Sequence, residues 1–328
     1  MVLSLIAPMH AFILAGGFAT RLWPLTEKRA KPLLPLGGKP MLTHIVEDIP
    51  AEIPITVSTN AVFGDAMRRW KEGLPRANLT VRVEQTENDD QKLGTLGAVS
   101  QWITEDGIND DILLLTGDNY FGFSMQRFLD AYEPGTALVA AFDIQDKELA
   151  KSFGTIVPGP HNTIAAFEEK PKNPQSTLVS TGASVLPSSV RAILLAFAKI
   201  KPDNVGGIFE ELLRLGTTVR LFTFTEPWFD VGSFHSYLAA TRTLAGDTVI
   251  RGNATTLEDT LCEGSVVLGN GSTVQSSRLK NTVLFDHCAV EDCILEDCIL
   301  DNNCVLKGVD LTGKMLREGT RLVKDGRR

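Results

Sequence analysis

The sequence is short of the residues that most often mark a catalytic or metal centre. It holds five histidines and five cysteines in 328 residues, and no two cysteines stand in a CxxC spacing. Cys288, Cys293, Cys298 and Cys304 crowd into the end of the chain. Structural zinc sites need closer pairs or histidines at set spacings, so this cluster reads as a stack of small, half-buried residues. His10, His44, His161, His235 and His287 fit no motif and read as surface or packing residues.

Positive charge is also scarce. Thirty-two Lys and Arg against 40 Asp and Glu leave a formal net charge of −8. Tight non-specific binding to DNA or RNA needs a basic surface, so no nucleic-acid partner is expected. Cations for any phosphate chemistry must then be gathered locally. No apolar run reaches membrane-spanning length, so no membrane partner is expected either. Met1–Met9 lacks a basic n-region and a cleavage site. Residues 1–8 read as a short unstructured extension, and the protein as cytoplasmic.

What is present is an alternation of short β-rich runs with amphipathic stretches over the first 245 residues or so. Ala11–Ala15, Ile53–Thr59, Leu79–Glu84, Asp111–Thr116 and Thr136–Ile144 read as strands. Met41–Ile49, Gly64–Glu72, Gly94–Thr104, Ser188–Ile200 and Ile208–Leu215 read as helices. Asp111–Thr116 is almost unbroken in apolar residues, the mark of a strand buried on both faces. The pattern predicts an α/β fold, a Rossmann-like, mostly parallel sheet flanked by helices. Ligands of such sheets bind beyond the carboxyl ends of the strands, which directs attention to the loops there.

Near Gly246 the pattern changes. Val283, Val290, Ile294, Ile299 and Val305 recur at four- to seven-residue steps, with small or polar residues between them. A near-hexapeptide repeat of this kind suits a β-helix whose coils stack their aliphatics. The organisation read from this is a domain over 1–245, a β-helix over 246–322 and a solvated tail over 323–328. One coil cannot bury its own core, so the stack must lean on the first domain or on another copy of the chain.

The most informative segment runs from Phe12 to Leu36, FILAGGFATRLWPLTEKRAKPLLPL. A strand opens into Gly16-Gly17, where the backbone can approach a ligand and aim N–H groups at anionic oxygens. Arg21 adds a planar, permanently charged fork and Lys31 a point charge. A Gly-Gly pair alone would be a tight turn; with Arg and Lys at these spacings it reads as a phosphate loop.

This segment resembles the signature LAGGxGTRLxPLT…PKPLLP of the sugar-1-phosphate nucleotidyltransferases, the enzymes that make NDP-sugars. Leu14–Gly17, Thr20–Leu22, Pro24–Thr26 and Lys31–Pro35 match; Ala19 stands where the signature has Gly, and Ala30 where it has Pro. Gly94-Thr95-Leu96-Gly97-Ala98 is similar to the family's segment along the nucleotide. Thr116-Gly117-Asp118-Asn119 resembles its GD motif. Phe153-Gly154, Phe167-Glu168-Glu169-Lys170-Pro171 and Ser180-Thr181-Gly182 resemble the sugar-phosphate site. Trp228-Phe229-Asp230-Val231-Gly232 resembles the late WxDxG motif. Taken singly, Asp118, Glu169, Lys170 and Asp230 could equally be turn or surface residues, and Trp228 reads better as a packing residue than as a ligand.

The resemblance implies a site in which Arg21, Lys31, Asp118 and Lys170 are catalytic. Ala15, Gly16, Gly17, Thr20, Gln85, Gly94, Thr95, Gly154, Glu169, Thr181 and Gly182 would bind substrate, and Asp118 and Asp230 would hold Mg2+. It also implies that the C-terminal β-helix is left-handed. The substrates would be an NTP and a sugar 1-phosphate, most like the glucose-1-phosphate thymidylyltransferase branch: dTTP first, UTP second, and GTP with mannose 1-phosphate third. The other readings are a regulatory homologue that binds sugar nucleotides without turnover and a bifunctional enzyme whose β-helix transfers acyl groups. A homo-oligomer formed through the β-helix is expected.

Overall fold

The computed structural model describes residues 8–17, 20–85 and 93–324. The expected N-terminal extension, apart from Pro8, and the last four residues of the expected tail lie outside the described residues, as does Ala19. In chain order the first elements are β1 (Met9–Leu14), β2 (Pro35–Leu36), β3 (Lys39–Pro40), α1 (Met41–Asp48), β4 (Ile55–Asn60), α2 (Gly64–Glu72), β5 (Leu79–Glu84) and α3 (Thr95–Glu105). Next come β6 (Asp111–Thr116), β7 (Asn119–Phe121), α4 (Met125–Asp130), β8 (Ala137–Asp143), α5 (Lys147–Ala150), β9 (Gly154–Pro158) and β10 (Ile164–Glu169). They are followed by β11 (Leu178–Leu186), α6 (Arg191–Ile200), α7 (Gly207–Arg214), β12 (Val219–Thr223), β13 (Trp228–Asp230) and α8 (Phe234–Ala245). Short strands from Val249–Arg251 to Arg321–Val323 complete the chain.

The chain folds as two compact units, residues 1–18 with 45–228, and residues 19–44 with 229–328. The first unit is built on a nine-stranded sheet. Its centre is β1, parallel to β4 on one side and to β6 on the other, with β5 parallel beyond β4. Phe12 and Ile13 of β1 and Leu113 and Leu115 of β6 are wholly inaccessible, as expected of strands covered on both faces. The sheet then turns mixed. β11 runs antiparallel to β6 and to β8, and the β9–β10 hairpin joins it through Val179 and Thr155. α3, α6 and α7 cover one face through Leu96, Val99, Leu194, Phe197, Ile208 and Leu212, which share one apolar core with Phe12 and Leu114.

The predicted helix over Ser188–Ile200 begins as a 3-10 turn, Ser188–Val190, and becomes α-helical only at Arg191. Pro187 fixes the extended entry (φ −67°, ψ 151°), and Val190 lies in the bridge region (φ −92°, ψ 2°).

In the second unit the strands after Val249 form three parallel sheets, the sides of a left-handed β-helix. A residue and its equivalent in the next coil are typically 16 positions apart, as in Ser272 and Cys288. Two sides alternate, with Val274 and Leu279 buried and their flanking residues Thr273, Gln275 and Arg278 exposed. The third does not: Val266, Val267 and Leu268 are all buried, as are Val283, Leu284, Ile299 and Leu300. This side carries the β2–β3 hairpin and α8 of the same unit. Tyr237 of α8 donates its hydroxyl to the Pro35 carbonyl and its ring lies 6.5 Å from that of Phe285. Among the described residues no helix is long and apolar enough to cross a membrane.

Candidate active site

In the first unit the loop after β1 is fixed by the ends of its two neighbours. The Ala15 N–H donates to the Ser58 carbonyl at 2.8 Å, Thr59 Oγ1 donates to the Ala15 carbonyl at 3.2 Å, and Asn60 Nδ2 donates to the Gly16 carbonyl at 2.9 Å. On the other side the Gly117 N–H donates to the Leu14 carbonyl at 2.8 Å. A Cβ on Gly117 would stand 2.9 Å from that carbonyl oxygen, so only glycine allows the approach. The backbone of Ala15, Gly16 and Gly17 is thereby held at the carboxyl edge of the sheet, beside Asp118. Glu84 is buried under this loop and accepts from Ser58 Oγ at 3.2 Å, while Trp102 Nε1 donates to the same Ser58 oxygen at 3.0 Å.

Asp118 follows β6 and is half-buried. Asn119 Nδ2 donates to Asp118 Oδ1 at 2.9 Å and to Thr116 Oγ1 at 2.8 Å. Trp228 Nε1 donates to Asn119 Oδ1 at 2.8 Å, which fixes the direction of the amide. Trp228 is otherwise a packing residue, buried against the rings of Phe142 and Phe153.

The register of the β9–β10 hairpin sets Gly154 opposite Glu169. Glu169 is wedged in place: a Cβ on Gly154 or on Gly206 would collide with its carboxylate. Its own N–H donates to Glu210 Oε1 at 2.8 Å. Burial pushes the Glu169 carboxyl above the usual range; Lys170, whose Nζ lies 3.9 Å from Glu169 Oε1, opposes the rise and Glu210 adds to it. Lys170 is exposed and adopts a left-handed φ of 48°, with its N–H donating to the Phe153 carbonyl at 3.1 Å. Glu168 is also half-buried, so neither carboxylate of the Glu168-Glu169 pair is fully exposed. Gly182 lies next to Thr116, but Thr181 is buried and its hydroxyl donates to the Ala140 carbonyl at 3.0 Å.

Gly94 and Thr95 open α3, where Thr95 Oγ1 and N–H reach Asp203 Oδ1 at 2.9 and 3.2 Å. Gly94 has φ 77° and its Cβ position is blocked 2.6 Å from the Pro202 backbone. Gln85 is exposed just past β5. The long acidic stretch after it lies largely outside the described residues.

In the second unit three of the expected residues converge. Arg21 sits in a short 3-10 helix, Thr20–Leu22, and Lys31 begins another, Lys31–Leu33. Lys31 is buried and its Nζ lies 3.4 Å from Asp230 Oδ1. Gly232 makes room for both partners: a Cβ there would be 3.3 Å from Arg21 Nη2 and 3.5 Å from Asp230 Oδ1. The Asp230 carboxylate thus meets the Lys31 ammonium directly and shares the space over Gly232 with the Arg21 guanidinium. Among the described residues no group of three or more His, Cys, Asp or Glu gathers as a metal cage. An ion such as Mg2+ does not need such a cage, since it commonly takes one or two carboxylates and completes its shell with water and phosphate.

Ser58, Asn60, Glu84, Asp203 and Glu210 escaped the sequence reading. Nothing in their local pattern signals them, since each reaches its partner from a distant part of the chain. Asn119 and Gly232 lay inside motifs that were recognised, and their neighbours explain them.

Residues 10–246 match the model of the nucleotidyl transferase family. The chain is 27% identical over 280 residues to glucose-1-phosphate thymidylyltransferase of Streptomyces antibioticus, covering 83% of this chain and 76% of that one. It is 28% identical to the bifunctional protein GlmU of Methanocaldococcus jannaschii, covering 80% of this chain and 61% of the relative. It is 29% identical to glucose-1-phosphate adenylyltransferase of Thermosipho africanus, covering 69% of this chain and 59% of the relative. The chain therefore spans about three-fifths of the length of these last two. A crystal structure of a putative glucose-1-phosphate thymidylyltransferase from Bacillus anthracis, in complex with sucrose, superposes with a TM-score of 0.62 at 25% identity, over 73% of this chain and 96% of that one. With the family model spanning the sheet and every motif around it, the chain is an enzyme of the nucleotidyl transferase family.

Proposed function

We propose that the enzyme transfers a nucleotidyl group from an NTP to a sugar 1-phosphate, releasing pyrophosphate. The observation that carries this reading is that Asp230 is paired with Lys31 and shares the space over Gly232 with Arg21. Both reactants are anions, and two unit charges ~5 Å apart repel by about 3 kcal/mol at an effective dielectric near 20. Several such pairs must be offset before the sugar phosphate can attack the α-phosphate in line. Arg21 would stabilise charge on the leaving pyrophosphate and Lys31 would assist it. The backbone of Ala15–Gly17, with Thr20, would cradle the triphosphate. Gly94 and Thr95 would line the nucleotide, and Gln85 would read thymine or uracil. Lys170 would hold the attacking phosphate, while Glu169, Gly154, Thr181 and Gly182 would shape the sugar site. The attacking oxygen is already ionised, so no general base is required.

Asp118 and Asp230 are the carboxylates we propose for Mg2+. When bound, the ion would polarise the α-phosphate and neutralise developing charge. The TGDNYF and FEEKP segments favour deoxythymidylyl transfer to glucose 1-phosphate, with uridylyl transfer second and guanylyl transfer to mannose 1-phosphate third. The relatives named thymidylyltransferases support the first of these. Self-association through the β-helix belongs to the same proposal.

The test is a matrix of NTPs against sugar 1-phosphates, with pyrophosphate as the readout and Arg21→Ala as the control. The variant is expected to lose at least about 100-fold in kcat, the scale of removing one charge-stabilising donor. Wild-type turnover in that variant would remove Arg21 from the leaving-group role. No pyrophosphate from any pair would remove the function.

A further inference from the structure

We infer that the β-helix positions the phosphate-handling loop, with Asp301 acting through Arg29 to hold the segment that carries Lys31. The inference rests on the reading of Lys31 given above. Three consecutive residues directly before Ala30-Lys31 are tied to the last coils of the β-helix. Arg317 Nη2 donates to Glu27 Oε1 at 2.5 Å, Lys28 Nζ lies 3.2 Å from Glu318 Oε2, and Arg29 Nη1 donates to Asp301 Oδ1 at 3.0 Å.

The first two pairs are open to solvent, with the Lys28 side chain 71% exposed, and pairs of that kind hold little energy. The third is different. The Asp301 side chain is 6% exposed and that of Arg29 22%. The Arg29 guanidinium lies 5.0 Å from the centre of the Phe285 ring, and Asp301 Oδ1 also accepts the Asn302 N–H at 2.7 Å. Burial pushes the Asp301 carboxyl above its usual range, and Arg29 is the main opposing influence. A buried ion pair is a weak source of net stability, because desolvation offsets most of its attraction. Its effect here is therefore sought in geometry.

Only Ala30 separates Arg29 from Lys31, so their Cα atoms are at most ~7 Å apart. The backbone between them has no slack. Ala30 is fully buried and extended (φ −60°, ψ 138°). Lys31 then enters a 3-10 turn closed by Leu33 N–H to Ala30 O at 2.9 Å and Leu34 N–H to Lys31 O at 3.0 Å. The Lys31 ammonium ends 3.4 Å from Asp230. Asp301 fixes Arg29, and Arg29 fixes where Lys31 begins. Asp301 touches no substrate and is a positioning residue.

The experiment uses the full chain with Asp301→Asn and with the double variant Arg29→Met/Asp301→Leu, which replaces the pair by apolar groups. Three quantities are read: kcat and KM for pyrophosphate release, Tm, and amide hydrogen exchange at Leu33 and Leu34. Asp301→Asn is expected to lower kcat at least about tenfold, as misplacement of a phosphate-handling group does. KM for the sugar phosphate stays within about twofold, and exchange at the two amides accelerates. The double variant is expected to recover Tm, as apolar replacements of buried pairs do, but not kcat. A kcat that returns with Tm, or an Asp301→Asn enzyme with wild-type kcat and exchange, overturns the proposal. If Asp301→Asn does not fold, the double variant decides alone. If the wild-type chain releases no pyrophosphate, the functional reading falls, and exchange at Leu33 and Leu34 still decides whether Asp301 positions the loop.

Discussion

At position 182 a side chain has no place to go. Gly182 has φ 83° within a strand, and an added Cβ would overlap Thr116 Oγ1 and lie 3.2 Å from Thr116 Cβ. A left-handed φ costs a non-glycine residue about 1–2 kcal/mol, and forcing an extra methyl into packed surroundings costs about 1–3 kcal/mol. Gly182→Ala is therefore expected to destabilise the fold by about 2–5 kcal/mol in a urea titration. Thr116→Ala should relieve only the packing part, giving a coupling of at least about 1 kcal/mol in the double-mutant cycle. Strict additivity would show that the overlap is relaxed elsewhere. The motif around Gly182 was legible in the sequence, but the reason for its glycine was not, because Thr116 lies on another strand. The same holds for Asn60, whose amide secures Gly16 across 44 residues of sequence. Chemistry-bearing residues are visible when they sit in a contiguous motif. The polar groups that aim them are visible only once the sheet register is known.

The β-helix shows the same logic at the scale of an element. Its corners demand two things of the chain, a left-handed residue and a small hydrogen-bonding one. Asp259, Ser276, Asn281, His287, Asp292, Asp297 and Asn303 have φ between 45° and 60°. Asn and Asp tolerate that region better than other side chains, which explains the polar gaps in the repeat. The second requirement explains the cysteines. Thr282 Oγ1 donates to the Lys280 and Leu295 carbonyls, and Cys298 Sγ, one coil on, reaches the equivalent Glu296 and Leu311 carbonyls at 3.2 and 3.4 Å. Ser272 and Cys288 are related in the same way through Phe285 and Asp301. Ser, Thr and Cys are thus alternatives at one kind of corner. The sequence reading of stacked small residues had the role right and the depth wrong, since all four are fully buried.

Cys298→Ser and Cys293→Ser are each expected to change stability by less than about 1.5 kcal/mol. Burial raises both thiols above their usual pKa, so they should resist a thiol reagent at neutral pH. Only Cys262 is partly exposed, so about one thiol should react in the native protein and five after unfolding. Rapid labelling of all five without denaturant would contradict this packing. Other elements were legible to differing degrees. α2, β5 and β6 have the bounds their patterns predicted, because each has a clean period or an unbroken apolar run. β11, with Ser180, Thr181, Gly182 and Ser184, shows no such pattern. It is paired with β6 and β8, and its antiparallel direction makes the sheet mixed.

For the whole molecule, sequence and compactness divide the chain differently. The composition changes near Gly246, where the β-helix begins, yet residues 19–44 group with residues 229–328 in one compact unit. The reason is the third side of the β-helix. Val267, Val283 and Ile299 are in register along it, lie outside the coil interior, and are 3%, 2% and 0% exposed. Uncovering three such side chains forfeits about 5–9 kcal/mol, an upper bound that is still comparable with the entire stability of a domain. The segment that covers them includes Leu33, Pro35 and Pro40, from the stretch that also holds Arg21 and Lys31. A chain ending at Gly246 would therefore lose the surface on which its own phosphate loop is packed. We expect that truncation to expose the backbone around Lys28 and Arg29 to trypsin at least about tenfold faster than in the full chain, and to abolish pyrophosphate release. Local opening sets proteolysis rates when reclosing is fast, so the ratio of cleavage rates reads the loss of packing directly. Equal resistance and full turnover in the truncated chain would mean that residues 19–44 fold without the β-helix, and that the boundary in composition is also the boundary in stability.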